Sequence, residues 1–133
     1  MEKIRITERH VNDVTILELE GRLVLEEGDV ALRDCVNRLV QQGHVKIVID
    51  MQKVTRLDSA GIGMLVSKYV TAYFRGGRLK LLNLTNRGEA LIEVTKLYTV
   101  FELFESEAEA IRSFGTHHPI DVLPPDKTGR SKR

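Results

Sequence analysis

The stretch VKIVIDMQKVTRLDSAGIGMLVSKY, Val45 to Tyr69, begins as one kind of structure and ends as another. Val45, Ile47, Val48 and Ile49 form a near-continuous β-branched run, the composition of a strand buried on both faces. Ile62, Leu65, Val66 and Tyr69 then recur at helical spacing, and Val70, Tyr73 and Phe74 continue the pattern. A buried strand feeding an amphipathic helix is the repeating unit of an α/β sheet with crossover connections. Between the two lies Asp58-Ser59-Ala60-Gly61, polar and small where the chain must turn.

The flanking sequence extends this unit. KIRITER and VTILELEGRLV alternate apolar with polar residues, which predicts a hairpin through HVND and a third short extended piece after Gly21. EEGDVALRDCVNRLVQQG places Leu32, Val36, Leu39 and Val40 on one helical face with Cys35 beside them, and Gly43 is the expected stop. Downstream, RGG at 75–77 ends the central helix. RLKLLNL reads as a strand, TNRGEALIEVTKL as a short helix and TVFELF as a strand. SEAEAIRSF opens with Ser106 and Glu109 at capping-box spacing. The expectation is an α/β mixed sheet with parallel neighbours, helices mainly on one face and an N-terminal β-hairpin. From Gly115 the character changes: GTHHPIDVLPPDKTGRSKR holds all 3 prolines and no periodicity. This divides the chain into a domain at 1–114 and a flexible tail at 115–133.

Composition bounds the function. With 133 residues the chain suits one domain, and its net charge of +1 supplies no global field for nucleic acid or an anionic membrane. Its 1 cysteine excludes an internal disulfide, and no apolar run is long enough to span a bilayer. MEKIRITERH lacks the apolar core of a secretory signal. Together these point to a cytoplasmic protein with no direct nucleic-acid or membrane partner. His117 and His118 are adjacent, without the further ligands a metal site needs, so no metal and no cofactor is expected.

Ser59 has four readings. A hydrolase nucleophile elbow needs G-x-S-x-G, and Leu57 occupies the first glycine position. A triad also needs histidine, and the chain offers His10, His44, His117 and His118. A dinucleotide fingerprint fails because Val66 stands where the third glycine belongs, and no G-K-[ST] of a phosphate-binding loop occurs. A helix cap by Asp58 or Ser59 is worth ~1 kcal/mol, yet it leaves Gly61 and Gly63 unexplained. Each glycine costs ~1 kcal/mol against alanine in a helix interior. Gly63, Ser67 and Thr71 share one face, which favours small residues kept open for another protein. A phosphorylation site is the fourth reading. A helix N-terminus tolerates the added dianion, whereas a partner docked there must bury it.

VIDMQKVTRLDSAGIGMLVSKY closely resembles the core motif of STAS domains, in particular bacterial anti-sigma factor antagonists. LELEGRLV, GGRLKLLNLT and LIEVTKLYTVFELFESEAEAIRSF match in the same order, so the resemblance covers roughly residues 4–114. It implies a sheet of four to five strands with helices on one side. It also implies partner switching. The unmodified antagonist binds an anti-sigma factor that is also a serine kinase, which phosphorylates the motif serine with ATP bound by the partner, and a phosphatase resets it. The chain itself is then not an enzyme. The matching phosphorylation site is Ser59. The motif match puts Asp58, Ser59, Ala60, Gly61, Ile62 and Gly63 at the partner surface, and helical geometry extends it to Met64, Ser67 and Lys68. One departure stands out: Val24 occupies a position where many antagonists have an acid, and Glu26, Glu27 and Asp29 follow it. The alternatives implied by other STAS proteins are a scaffold or assembly subunit never phosphorylated, and a small-molecule or lipid-handling domain.

Overall fold

The computed structural model describes residues 3–115. Five strands make one sheet in the order β1-β2-β3-β4-β5. They are β1 (Arg5–Val11), β2 (Val14–Leu23), β3 (Lys46–Leu57), β4 (Arg78–Leu82) and β5 (Leu103–Phe104). β1 is antiparallel to β2, and each later neighbour is parallel. The hairpin turns on Asn12-Asp13, with Asn12 at φ 57, a left-handed conformation that asparagine tolerates.

Three helices carry the chain between the parallel strands: α1 (Asp29–Gln41), α2 (Ser59–Phe74) and α3 (Asn86–Thr95). Strand order follows chain order from β2 to β5, so crossovers of one hand fall on one face. Leu17, Leu19, Ile47, Ile49, Leu79 and Leu81 of the sheet meet α1, α2 and α3 in one apolar cluster. The opposite face is covered by α4 (Glu107–Gly115), whose Ala110 and Phe114 pack on Val14, Ile16, Val48 and Leu82. Arg9 of β1 clamps that helix, its Nη2 lying 2.6 Å from Glu107 Oε1. The mixed sheet with helices mainly on one face is therefore as expected.

α1 and α2 end alike. Past α1, Gly43 N–H donates to Val40 O at 3.0 Å and His44 N–H to Leu39 O at 2.9 Å. Past α2, Gly76 N–H donates to Tyr73 O at 3.0 Å and Gly77 N–H to Ala72 O at 2.9 Å. Both sets are Schellman caps, and Gly43 and Gly76 take the left-handed φ of 89° and 84° that such caps require.

Four sequence expectations need correction. β2 runs through Gly21 to Leu23 without breaking, because a register shift against β3 absorbs the irregularity. TVFELF contributes only the two-residue β5, after a 3-10 turn at Leu97–Thr99. β3 continues to Leu57, so Asp58 alone separates strand from helix. The buried face of α2 is Gly61, Ile62, Leu65, Lys68 and Ala72, while Val70 and Phe74 are 42% and 78% exposed. Ile62 and Leu65 of the expected stripe stay inside and Val66 and Tyr69 pack at its edge, but the close approach at Gly61 and Ala72 turns the helix so that Val70 and Phe74 face outward. The tail read from Gly115 onward lies, beyond Gly115, outside the described residues.

Candidate functional site

The junction of β3 and α2 is built on one carboxylate. Asp58 is the N-cap of α2, with extended backbone, and its Oδ1 accepts the Gly61 N–H at 2.9 Å. Its Oδ2 accepts the Leu25 N–H at 3.2 Å, tying the loop after β2 to the head of the helix. The cap is thus Asp58, and Ser59 is the first helical residue. Ser59 is exposed, and among the described residues its hydroxyl makes no hydrogen bond. A modification of that oxygen breaks no bond of the described fold.

The two glycines of the motif part company. A Cβ on Gly61 would lie 2.2 Å from Leu23 O and 2.9 Å from Leu57 Cδ1. A Cβ on Gly63 would meet nothing within 4 Å. Gly61 is therefore a packing residue, and the reading of both glycines as outward holds for Gly63 alone. Ile62 and Lys68, expected at the partner surface, are also buried, at 5% and 6% exposure. Lys68 lies along the seam between α1 and α2, where its Nζ donates to Asn37 Oδ1 at 2.7 Å. Burial, and then the charge of Arg33, hold its ammonium below the ordinary lysine range. Ser59, Gly63 and Ser67 are exposed, and Asp58, Ala60 and Met64 are half-buried. The outer face of the helix head is accordingly narrower than the motif suggested.

One neighbour of this face was not singled out from the sequence. Leu25 is 61% exposed, and its amide is held by Asp58. Its signal was an apolar residue followed by Glu26 and Glu27, a break in polarity inside a loop. Val24 beside it is buried, and its carbonyl accepts the N–H groups of Glu27 and Gly28 at 3.1 and 3.2 Å. Two of the acids that follow are engaged in the loop itself. Asp29 Oδ1 accepts the N–H groups of Glu26 and Val30, each at 2.8 Å. Glu27 Oε1 lies 2.9 Å from Arg22 Nε. The Glu26 carboxylate, by contrast, is exposed and joins no ion pair among the described residues.

Histidine is remote from Ser59. His44 precedes β3 and Ser59 follows it, so a 12-residue strand separates them, which at ~3.3 Å per residue is roughly 40 Å. His10 stands with His44, the ring centroids 5.0 Å apart. No triad can be assembled from these two. His117 and His118 lie outside the described residues. Among the described residues no group of three or more His, Cys, Asp or Glu side chains could hold a metal ion. No described helix is long and apolar enough to cross a membrane.

Residues 5–110 match the family profile of the STAS domain. The chain belongs to the STAS domain family. It is 19% identical to the anti-sigma F factor antagonist of Paenibacillus polymyxa over 108 residues, which are 81% of this chain and 92% of that protein. An anti-sigma factor antagonist from Mycobacterium paratuberculosis has the same fold, with a TM-score of 0.75 at 20% identity over 84% of this chain and 93% of that one. SpoIIAA in its unphosphorylated form gives a TM-score of 0.68 at 19% identity, over 85% of this chain and 100% of that one. Bacillus SpoIIAA in its phosphorylated form gives 0.66 at 20%, over 83% and 99%. The STAS sheet is thus common to both phosphorylation states of SpoIIAA and to this chain.

Proposed function

We infer that this STAS chain is an anti-sigma factor antagonist that works by partner switching. Its docking surface is the outer face of the head of α2: Asp58, Ser59, Ala60, Gly63, Met64 and Ser67, with Leu25 beside them. Its partner is an anti-sigma factor with serine kinase activity, which binds the ATP. Phosphorylation of Ser59 ends the binding, and a phosphatase restores it. The chain itself performs no catalysis and carries no cofactor. The observation that carries this reading is the Ser59 hydroxyl, exposed at a helix N-terminus and outside the hydrogen bonding of the described fold. A phosphoryl group there adds about −1.5 to −2 charges. The helix amides and dipole help to carry that charge within the chain. A partner seated on the same turn has to desolvate it, and each 1.4 kcal/mol so lost is about tenfold in affinity.

The test is a titration with the kinase captured by the wild-type chain from native cells. Ser59→Asp binds at least tenfold more weakly, and its melting temperature stays within a few degrees of wild type. Ser59→Ala binds like wild type and takes up no phosphate. Equal affinity of wild type and Ser59→Asp would remove the switch.

Val24 supports a second reading. A buried valine offers no oxygen where many antagonists have an acid, and the nearby Glu27 and Asp29 are engaged elsewhere. In that reading the same surface serves a constitutive assembly and Ser59 is never modified. Intact-mass measurement across growth states separates the two, since one phosphoryl group adds about 80 Da at Ser59.

A further inference from the structure

Two arginines near the head of α3 stand where the stability of the fold does not ask for them. Arg87 is in the first turn of α3, the end of a helix that favours anions and repels cations. Arg56 of β3 is in register with Arg22 of β2, and like charges directly opposite across a strand pair are destabilising. Arg22 is answered by Glu27 at 2.9 Å. Arg9, Arg33 and Arg38 likewise have carboxylate partners. Among the described residues, neither Arg56 nor Arg87 joins an ion pair.

Both arginines line one cavity of about 200 Å³, together with Val54, Thr55, Leu57 and Thr85. It opens at the C-terminal end of β3, the edge where open α/β sheets bind ligands. Both arginines are exposed where they border it, so an anion entering the cavity meets two cationic side chains from different elements. The Thr85 hydroxyl oxygen accepts the Gly88 N–H at 3.2 Å, which leaves its proton to donate. Val54 and Leu57 supply an apolar wall. The volume is below the ~300–1,000 Å³ of a drug-sized ligand site, so the occupant is a small molecule or the head of a larger one.

We propose that this cavity is a binding site for a phosphoryl group, clasped between the guanidinium groups of Arg56 and Arg87. A carboxylate carries one charge and needs one fork. A phosphomonoester carries close to two charges and has oxygens enough for two forks and a hydroxyl. Such a group can come from a diffusible phosphomonoester or from a phosphoserine at position 59 of this chain. The site does not depend on the partner-switching reading, and its test involves no anti-sigma factor.

The experiment has two arms, both read from backbone amide shifts of the full chain. In the first, unmodified protein is titrated with inorganic phosphate at constant ionic strength. Shifts confined to residues 54–57 and 85–88 saturate, chloride does not reproduce them, and Arg56→Gln with Arg87→Gln weakens them at least tenfold. At a concentration ten times Kd, phosphate raises the folded-to-unfolded ratio of wild type about elevenfold and leaves the double variant unchanged. Without phosphate the double variant melts no lower than wild type, because neither arginine joins an ion pair among the described residues. In the second arm, phosphoserine is incorporated at 59. Arginine-dependent shifts at the same amides before any phosphate is added make the chain its own donor. An undiminished response to added phosphate makes the occupant diffusible. If neither phosphate nor phosphoserine produces arginine-dependent shifts at these amides, or if chloride gives them equally, the site does not exist.

Discussion

Gly61 and Gly63 sit two residues apart in the first turns of one helix, and they are small for opposite reasons. At Gly61 the space for a side chain is already filled by the Leu23 carbonyl of the neighbouring strand. At Gly63 the space is empty and faces outward. The inner glycine lets α2 press onto the end of β2. The outer one keeps the surface around Ser59 free of projecting side chains. One helix head thus serves the core on one side and docking on the other, with Asp58 between them bonded to both the helix and the Leu25 loop.

Gly61→Ala is the largest test of this contrast. A methyl 2.2 Å from a backbone oxygen has no flexible neighbour to displace, so either the helix or the strand must move. The expected loss is ~3 kcal/mol or more, at the upper end for overpacking, or a melting temperature lower by roughly 10–20 °C. Thermal unfolding followed by circular dichroism measures it. A loss no greater than at Gly63 would abolish the distinction between the two faces. Asp58→Ala comes next, at ~1–2 kcal/mol, since it removes the cap of α2 and the acceptor for the Leu25 amide. Asp58→Asn, which keeps one acceptor oxygen, recovers part of that loss.

Much of this architecture is legible in the sequence, and where it is not the reason is local. The Val45–Ile49 run and the two terminal glycines, Gly43 and Gly76, announce β3 and the ends of α1 and α2, because burial and left-handed φ each demand a narrow residue set. The face of α2 is not legible in the same way. Hydropathy weighs Phe74 and Val70 above Gly61 and Ala72, whereas close approach to the sheet selects the small residues at 61 and 72 and leaves Val70 and Phe74 outside. Lys68 misleads for a related cause: its long apolar stem suits the α1–α2 seam, and only the position of Asn37 shows where its ammonium goes. At the candidate site, the D-S-A-G-I-G motif marks the right junction. It does not separate Ser59 and Gly63 from Gly61 and Ile62, because inner and outer residues of a first turn are neighbours in the chain. Leu25 and the Arg56–Arg87 cavity arise from pairings distant in sequence, and nothing near them in the chain announces either.

Gly63→Ala reverses the sign of the Gly61 result. Alanine gains up to ~1 kcal/mol over glycine in a helix interior, and the added methyl meets nothing within 4 Å. Urea denaturation shows a higher midpoint with an unchanged slope. Gly63→Gln keeps the helix propensity but projects a long side chain from the docking face. In the proposed function it leaves the midpoint at or above wild type and weakens binding to the anti-sigma partner at least tenfold. Unimpaired binding would move the docking surface off this face.

The smallest effect belongs to Lys68, on the inner face where a docking residue was expected. Burial and then Arg33 depress its ammonium from the ordinary lysine range, so the folded chain gives up that proton at a lower pH than the unfolded chain does. Between the two values the unfolded state holds more protons, and wild-type stability therefore rises with pH. Below that window the buried charge is a standing cost, which the bond to Asn37 offsets in part. Lys68→Met removes the charge and keeps the apolar stem. At pH 7 the variant is expected to match or exceed wild type by less than ~1 kcal/mol, because the Asn37 bond offsets much of the desolvation. Its advantage narrows as pH rises into the ordinary lysine range, where wild type loses the charge while the variant has none to lose. Urea midpoints at pH 7 and in that range measure this directly. A variant less stable than wild type at pH 7, with a deficit that does not change with pH, would mean that the Asn37 bond outweighs the desolvation of the charge.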